Sequence, residues 1–120
     1  MINYGSLGIV WDFLKEHAKA INFYKIALKI AREIPDRQNE GIQIGNIGVA
    51  YGFLKQYDKE IEQYLIALEI AKETRDSKHA TRWCENLLAA YRDAGNMEKA
   101  LYYFGLLREQ CGVTTKDHKF

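Results

Sequence analysis

The stretch that decides the fold is residues 45–76, GNIGVAYGFLKQYDKEIEQYLIALEIAKETRD. Shifted back by 40 residues, it aligns without a gap with residues 5–36, GSLGIVWDFLKEHAKAINFYKIALKIAREIPD. Between 5–40 and 45–80, 15 of 36 positions are identical, and a forward shift by 40 gives a looser match to residues 85–113. Self-similarity at one fixed period is typical of a stacked repeat. The chain is therefore predicted to contain three copies of one structural unit.

Each unit is predicted to be a pair of helices joined by a turn. In the central unit Ile47, Ala50 and Leu54 share one side of a first helix with Gln43, at the spacing of an amphipathic helix. Polar residues 55–58 interrupt this pattern, which restarts on a second helix at Ile61. The second helix is apolar over much of its circumference, so it needs neighbours on more than one side, and stacking supplies them.

The chain in order predicts six helices and no sheet, over residues 1–14, 18–34, 37–54, 58–74, 77–94 and 97–111. Asp36 and Asp76 are expected to cap the third and fifth helices, whereas no capping residue is expected before the first. One domain is predicted over 1–111, with repeats at about 1–36, 37–76 and 77–111, followed by a mobile polar tail over 112–120.

The third helix is unusual because it contains four glycines, each of which costs about 1 kcal/mol relative to alanine in a helix interior. They follow a 4-3-4 spacing that places them on one stripe: Gly41, Gly45, Gly48 and Gly52. The stripe predicts close approach of a neighbouring helix.

Composition and charge exclude several classes of function. The chain has 17 basic and 16 acidic residues, a net charge of +1, which predicts no binding of nucleic acid or of an anionic membrane. The longest uncharged run, 41–54, is too short to span a bilayer. Cys84 and Cys111 form no CxxC motif, which favours a cytoplasmic protein with reduced thiols and predicts buried or inert cysteines.

No pattern in the sequence predicts catalysis, a metal site or a cofactor. His17, His79 and His118 have no second ligand at a metal-binding spacing. The GSLG and GNIG motifs fall within helices, and neither precedes Lys-Ser or Lys-Thr as a phosphate-binding loop would require. The chain is therefore predicted not to be an enzyme.

Small and aromatic residues recur at the same places in each unit. These places hold Gly8, Trp11, Ala20, Tyr24 and Ala27 in the first, Gly48, Tyr51, Glu60, Tyr64 and Ala67 in the second, and Leu88, Tyr91, Ala100, Phe104 and Leu107 in the third. Glu60, Leu88 and Leu107 depart from the small residue expected at their places. This pattern resembles the tetratricopeptide repeat over about 1–111, specifically in the first two units and less so in the third, where two small positions hold leucine. The 40-residue period is similar to a longer-helix subclass that includes the Leu-Gly-Asn-rich adaptors, the kinesin light chains and bacterial regulatory proteins.

The resemblance implies an all-α fold, a right-handed α-solenoid of about three antiparallel helix pairs, with the first helix of each pair lining a concave face. At about 100° per residue, the arc opposite the packing face can be listed for each of these helices. It carries Ile2, Gly5, Ser6, Ile9, Asp12 and Phe13 in the first helix, Ile42, Gly45, Asn46, Val49 and Phe53 in the third, and Arg82, Glu85, Asn86, Ala89, Arg92 and Asp93 in the fifth. The strip combines an apolar half with a glycine floor and a charged half.

The candidate binding residues on this strip are Asn46, Asn86, Arg82, Arg92, Ser6 and Phe53. Asn46 and Asn86 share a repeat position, and in the long-helix subclass such asparagines resemble those that bind the backbone of an extended peptide. The alternative is an asparagine that is solvated or bridges helices. Arg82 and Arg92 can bind a ligand carboxylate or pair with Glu85 or Asp93. Phe13 and Phe53 are either groove anchors or core residues, and aromatic residues at helix ends are more often core.

The leading prediction for function is a non-catalytic protein–protein interaction scaffold that binds a partner peptide in the concave groove. Two alternatives stay open. One is a sensor or regulatory segment of a larger protein, in which a ligand changes the superhelix pitch. The other is a structural module whose copies stack through uncapped end helices, because solenoids normally need polar caps at both ends.

Overall fold

The computed structural model of the chain describes residues 2–109, which form six α helices and contain no strand. The helices are α1 (Tyr4–Phe13), α2 (His17–Glu33), α3 (Arg37–Phe53), α4 (Tyr57–Glu73), α5 (Ser77–Asp93) and α6 (Met97–Glu109). The predicted fold class, an all-α solenoid of three antiparallel helix pairs, is confirmed. Cys111, His118 and the predicted tail over 112–120 lie outside the described residues.

Four of the five turns between the described helices share one backbone geometry. In the turn after α3, the N–H of Lys55 donates to the carbonyl of Gly52, and the N–H of Gln56 donates to that of Tyr51. The same two bonds recur in the turns at 14–16, 74–76 and 94–96. This pair of bonds satisfies the last carbonyls of a helix and requires a left-handed residue, here Lys55 at a φ of 59°. Each turn therefore reverses the chain within three residues.

Short polar side chains begin the first helix of each pair. Asn3, Asp36 and Asp76 each accept a hydrogen bond from the backbone N–H three residues later. The predicted caps at Asp36 and Asp76 are confirmed. The expectation that no residue caps the first helix was wrong, because Asn3 does so and α1 begins at Tyr4.

The helix pairs stack in chain order. Each helix packs against the next one along the chain, and α3 also contacts α5. Tyr64 is 2% exposed and Trp83 1% exposed, so the shared interior runs through all three repeats. Cys84 is fully buried, as predicted. None of the helices described between residues 2 and 109 is long and apolar enough to cross a membrane.

The glycines of α3 admit neighbouring side chains. A Cβ added at Gly48 would lie 2.7 Å from the Tyr64 ring, and one added at Gly45 would overlap the Trp83 ring. The predicted close helix approach is therefore confirmed. The expectation that Gly45 floors the groove was wrong, because the indole of Trp83 covers it.

In each of the first two repeats a tyrosine hydroxyl donates a hydrogen bond to a carboxylate. The carboxylate lies on the first helix of the pair in the first repeat and on the second helix in the second repeat. Tyr24 donates to Asp12 of α1 at 2.8 Å, and Tyr64 donates to Glu60 of its own helix at 3.0 Å. Glu60 occupies the space beside Gly52, where an added Cβ would overlap its carboxylate. Burial raises the pKa of Glu60; the nearby Asp93 acts in the same direction, and the Tyr64 hydroxyl opposes both.

Glu60→Gln is expected to raise the free energy of unfolding at pH 7 by about 1 kcal/mol and to have little effect below the ordinary glutamate pKa. A raised pKa in the folded state means that the folded protein binds the proton more tightly. The unsubstituted protein therefore loses stability as the pH rises from the ordinary glutamate pKa through the pKa of Glu60 in the folded state. Urea unfolding at pH 4 and pH 7 measures the effect. Glu62→Gln, an exposed change on the same helix, is the control. An equal effect of Glu60→Gln at both pH values would contradict the interpretation.

Candidate functional site

Two adjoining cavities of about 460 and 410 Å³ are lined mainly by residues of α1, α2 and α3, and Arg82 of α5 also lines the second. They share Ile9 of α1 with Ile42 and Asn46 of α3, so they are parts of one groove. We call the first the amide cavity, because its polar lining includes Asn3, Ser6, Asn39, Gln43 and Asn46. We call the second the phenyl cavity, because Phe13 and Phe53 line it together with Asp12, Tyr24, Val49 and Arg82.

The amide cavity contains a buried carbonyl oxygen with no hydrogen-bond donor. Nε2 of Gln43 donates to Oδ1 of Asn39 at 3.0 Å, an i,i+4 pair on α3. Oε1 of Gln43 accepts no hydrogen bond within residues 2–109, although the side chain is only 6% exposed. A buried acceptor without a donor costs about 1–3 kcal/mol. The oxygen lies against Gly5 of α1, closed to solvent, so this cost is carried by the packing of α1 on α3.

The phenyl cavity exposes two aromatic rings. Phe13 is 85% exposed and Phe53 is 60% exposed, so neither is a core residue. The ring of Phe53 stacks on the imidazole of His17, with centroids 4.6 Å apart, and this contact joins the first two repeats at the end of the groove. Both rings line the same cavity and give it an apolar lining.

The two charged residues of the phenyl cavity, Asp12 and Arg82, differ in their partners within the chain. Asp12 accepts a hydrogen bond from the Tyr24 hydroxyl and lies 2.8 Å from Nδ1 of His17. Burial, reinforced by this hydrogen bond, raises the pKa of Tyr24, so the hydroxyl keeps its proton and remains a donor. Arg82 lies over the Trp83 ring at 5.4 Å and forms no ion pair with any residue from 2 to 109. Its guanidinium is available to a carboxylate of a ligand.

The structure brings four of the six predicted site residues together. Ser6 lines the amide cavity, Phe53 and Arg82 line the phenyl cavity, and Asn46 lines both. Asn86 and Arg92 line neither cavity. Arg92 pairs with Asp93 at 3.3 Å, one of the two alternatives considered for it. The binding role of all six stays a prediction.

Sequence reasoning missed the amide pair of Asn39 and Gln43. Gln43 was placed on the packing face with the apolar residues, where it indeed lies, but its side chain also reaches the groove beside Gly5. The i,i+4 spacing of two amides on one helix was the signal that could have found the pair. No group of three or more His, Cys, Asp and Glu side chains in the described part of the chain could hold a metal ion.

Known structures share this architecture. The tetratricopeptide-repeat domain of Arabidopsis FLU superposes with a TM-score of 0.82 and 22% identity, over 87% of this chain and 87% of that one. The apo form of RapI superposes with a TM-score of 0.76 and 26% identity, over 82% of this chain but only 35% of RapI, so this chain spans about a third of that protein. No protein-family model and no curated protein matches the sequence. The chain therefore has a tetratricopeptide-like fold, and its likeness to the long-helix subclass stays a prediction.

Proposed function

We propose that the chain is a non-catalytic interaction module that holds an extended segment of a partner protein along the groove between α1, α3 and α5. One observation carries the proposal: two exposed phenyl rings flank a cavity of about 410 Å³ beside Arg82, whose guanidinium has no carboxylate partner in the described chain. Apolar anchors next to an uncommitted charge are typical of a recognition surface. The proposal includes the long-helix subclass and a cytoplasmic location.

The chemistry of the groove defines the segment. The phenyl cavity takes an apolar side chain between Phe13 and Phe53, and Arg82 binds a neighbouring carboxylate through charge-assisted hydrogen bonds. Asn46 lies where the cavities meet, and its amide can both donate to and accept from a peptide group. Asn86 and Arg92 become contacts for a longer segment that continues along α5.

Peptides selected from a random library on the immobilised chain test this proposal. Phe53→Ala and Arg82→Ala are each expected to weaken a selected peptide about tenfold or more, which corresponds to about 1.4 kcal/mol. Fluorescence anisotropy with the labelled peptide measures the affinity. Phe104→Ala and Arg108→Ala remove residues of the same types from exposed positions on α6 and are expected to leave it unchanged. Equal losses from the α6 variants would place the peptide elsewhere.

Stacking of copies through the ends is a second candidate, because one end face is apolar. Phe104 is 48% exposed, whereas Tyr24 and Tyr64 at the same repeat position are 2% exposed beneath the repeat that follows them. Leu101 beside it is 65% exposed. Phe104→Glu is expected to abolish such stacking and to leave the groove intact. No feature of residues 2–109 favours the sensor alternative in the same way.

A further inference from the structure

The second helices of the first two repeats carry opposite charge. α2 has four basic side chains and one acidic one, a net charge of +3 with histidine neutral, and α4 has two basic and five acidic side chains, a net charge of −3. A helix that carries both basic and acidic side chains is stabilised by ion pairs between residues i and i+4. Neither α2 nor α4 contains an internal ion pair in the described structure.

Tyr24, Ala27 and Ile30 of α2 line the groove, whereas Ile26 and Lys29 of α2 and all residues of α4 line neither groove cavity. Between α2 and α4 is a cavity of about 570 Å³. Gln63 of α4 lines one wall, and the other is lined by five residues of α2: Lys25, Leu28, Lys29, Arg32 and Glu33. Ile47 and Tyr51 floor this cavity, and they lie on the arc of α3 opposite Asn46 and Phe53. We call the exposed faces of α2 and α4 around this cavity the outer face.

Equivalent positions on the outer face are complementary. Ile26 and Ile66, 40 residues apart, are 41% and 44% exposed. One turn further on, Lys29 of α2 corresponds to Glu69 of α4, and neither forms an ion pair within residues 2–109. Each helix thus presents an isoleucine next to a charge, and the charges have opposite sign.

We propose that the outer face binds a second copy of the chain in a two-fold symmetric dimer, with α2 of each copy on α4 of the other. Because α2 and α4 are equivalent helices of successive repeats, they run in the same direction. A two-fold axis parallel to them and midway between them places equivalent positions opposite each other. Ile26 then meets Ile66 of the second copy, and Lys29 meets its Glu69. Each contact forms twice, as an isologous interface requires.

The occupant is a copy of the chain because the chain itself supplies an acidic helix with matching positions. Single exposed ion pairs contribute little, so the isoleucines that become buried on association act together with the charges of Lys29 and Glu69. Arg32 and Glu73 already pair with residues of α3. The association is therefore expected to be strongly salt-dependent, since exposed charges are screened as ionic strength rises. The inference is independent of the groove, because none of its residues lines the two groove cavities.

Sedimentation equilibrium of the chain tests the dimer. The mass is expected to approach two copies at an ionic strength of about 0.01 M and to fall toward one copy at about 1 M. Lys29→Glu and Glu69→Lys are each expected to weaken dimerisation tenfold or more, because each brings like charges together at both contacts. Mixing these two variants, or combining both changes in one chain, restores opposite charges at both contacts and is expected to restore the dimer.

Lys78→Glu is the matched control, since it makes the same charge change on α5 and is expected to leave dimerisation unchanged. Circular dichroism verifies that each variant is folded. A monomer at high concentration and low salt would overturn the proposal. So would a double variant that stays monomeric, or a mass that grows beyond two copies, which indicates open-ended stacking. If the outer face instead binds an acidic helix of another protein, the chain stays monomeric in this experiment. A dimer that the charge exchange restores excludes that occupant.

Discussion

Replacing Trp83 with alanine is expected to lower the free energy of unfolding by about 3–5 kcal/mol. The indole is 1% exposed, stacks on Tyr64 with centroids 5.9 Å apart and covers Gly45 of α3. Its removal leaves a cavity where α3, α4 and α5 meet. Single domains are stable by about 5–15 kcal/mol, so this change removes a large share of the total. Urea unfolding followed by circular dichroism measures the loss.

The other tryptophan provides the control. Trp11 stacks on Phe23 at 6.4 Å and is only half-buried, so Trp11→Ala is expected to cost less than half as much. Trp83→Phe keeps a ring in the junction and provides a folded comparison if the alanine variant does not fold. Equal losses for Trp83→Ala and Trp11→Ala would show that the junction of three helices is not the centre of the core.

Gly45→Ala is expected to lower the free energy of unfolding by about 1–3 kcal/mol, although alanine is the better helix former. An added Cβ would overlap the Trp83 ring, and this ring is packed against Tyr64 and cannot move freely. The overpacking outweighs the roughly 1 kcal/mol that alanine contributes through helix propensity. The shift in the urea midpoint, with the slope unchanged, reports this loss.

Gly105→Ala is the control for this change, and it is expected to have the opposite sign. Gly105 also lies within a helix, but a Cβ at this position would meet nothing within 4 Å. Helix propensity alone then acts, and the variant is expected to be stabilised by up to about 1 kcal/mol. If both alanine variants were stabilised, α3 and α5 would not be in close contact at Gly45.

Local features of the sequence predicted most of the fold. Asp36 and Asp76 begin helices because the side-chain oxygen of each accepts a hydrogen bond from the backbone N–H three residues later. This interaction is local, so it does not depend on where the helix packs in the fold. The 40-residue period placed the helix pairs to within a few residues, because a turn and an amphipathic face are properties of short segments. The prediction that no residue caps the first helix was wrong because the helix was extended to the start of the chain. Asn3 itself is a good capping residue.

The candidate site was predicted less completely. Projection on a straight helix placed Asn46 and Ser6 in the groove, where the structure has them. The same projection included Asn86 and Arg92, which do not line the two cavities. For Phe13 and Phe53 the sequence favoured core positions, which was wrong, since both rings are exposed. An aromatic residue at a helix end is buried or exposed according to the neighbouring repeat.

The sequence by itself determined that this chain is a stack of three helix pairs, because periodicity, caps and turns depend on residues close together along the chain. Only the tertiary structure decided that Arg82 forms no ion pair within residues 2–109, that Gly45 is covered by Trp83 and that Gln43 has a carbonyl without a donor. These features depend on the distance and rotation between successive repeats. The distance and the rotation are determined by contacts between side chains about 40 residues apart. A local sequence pattern does not predict such contacts.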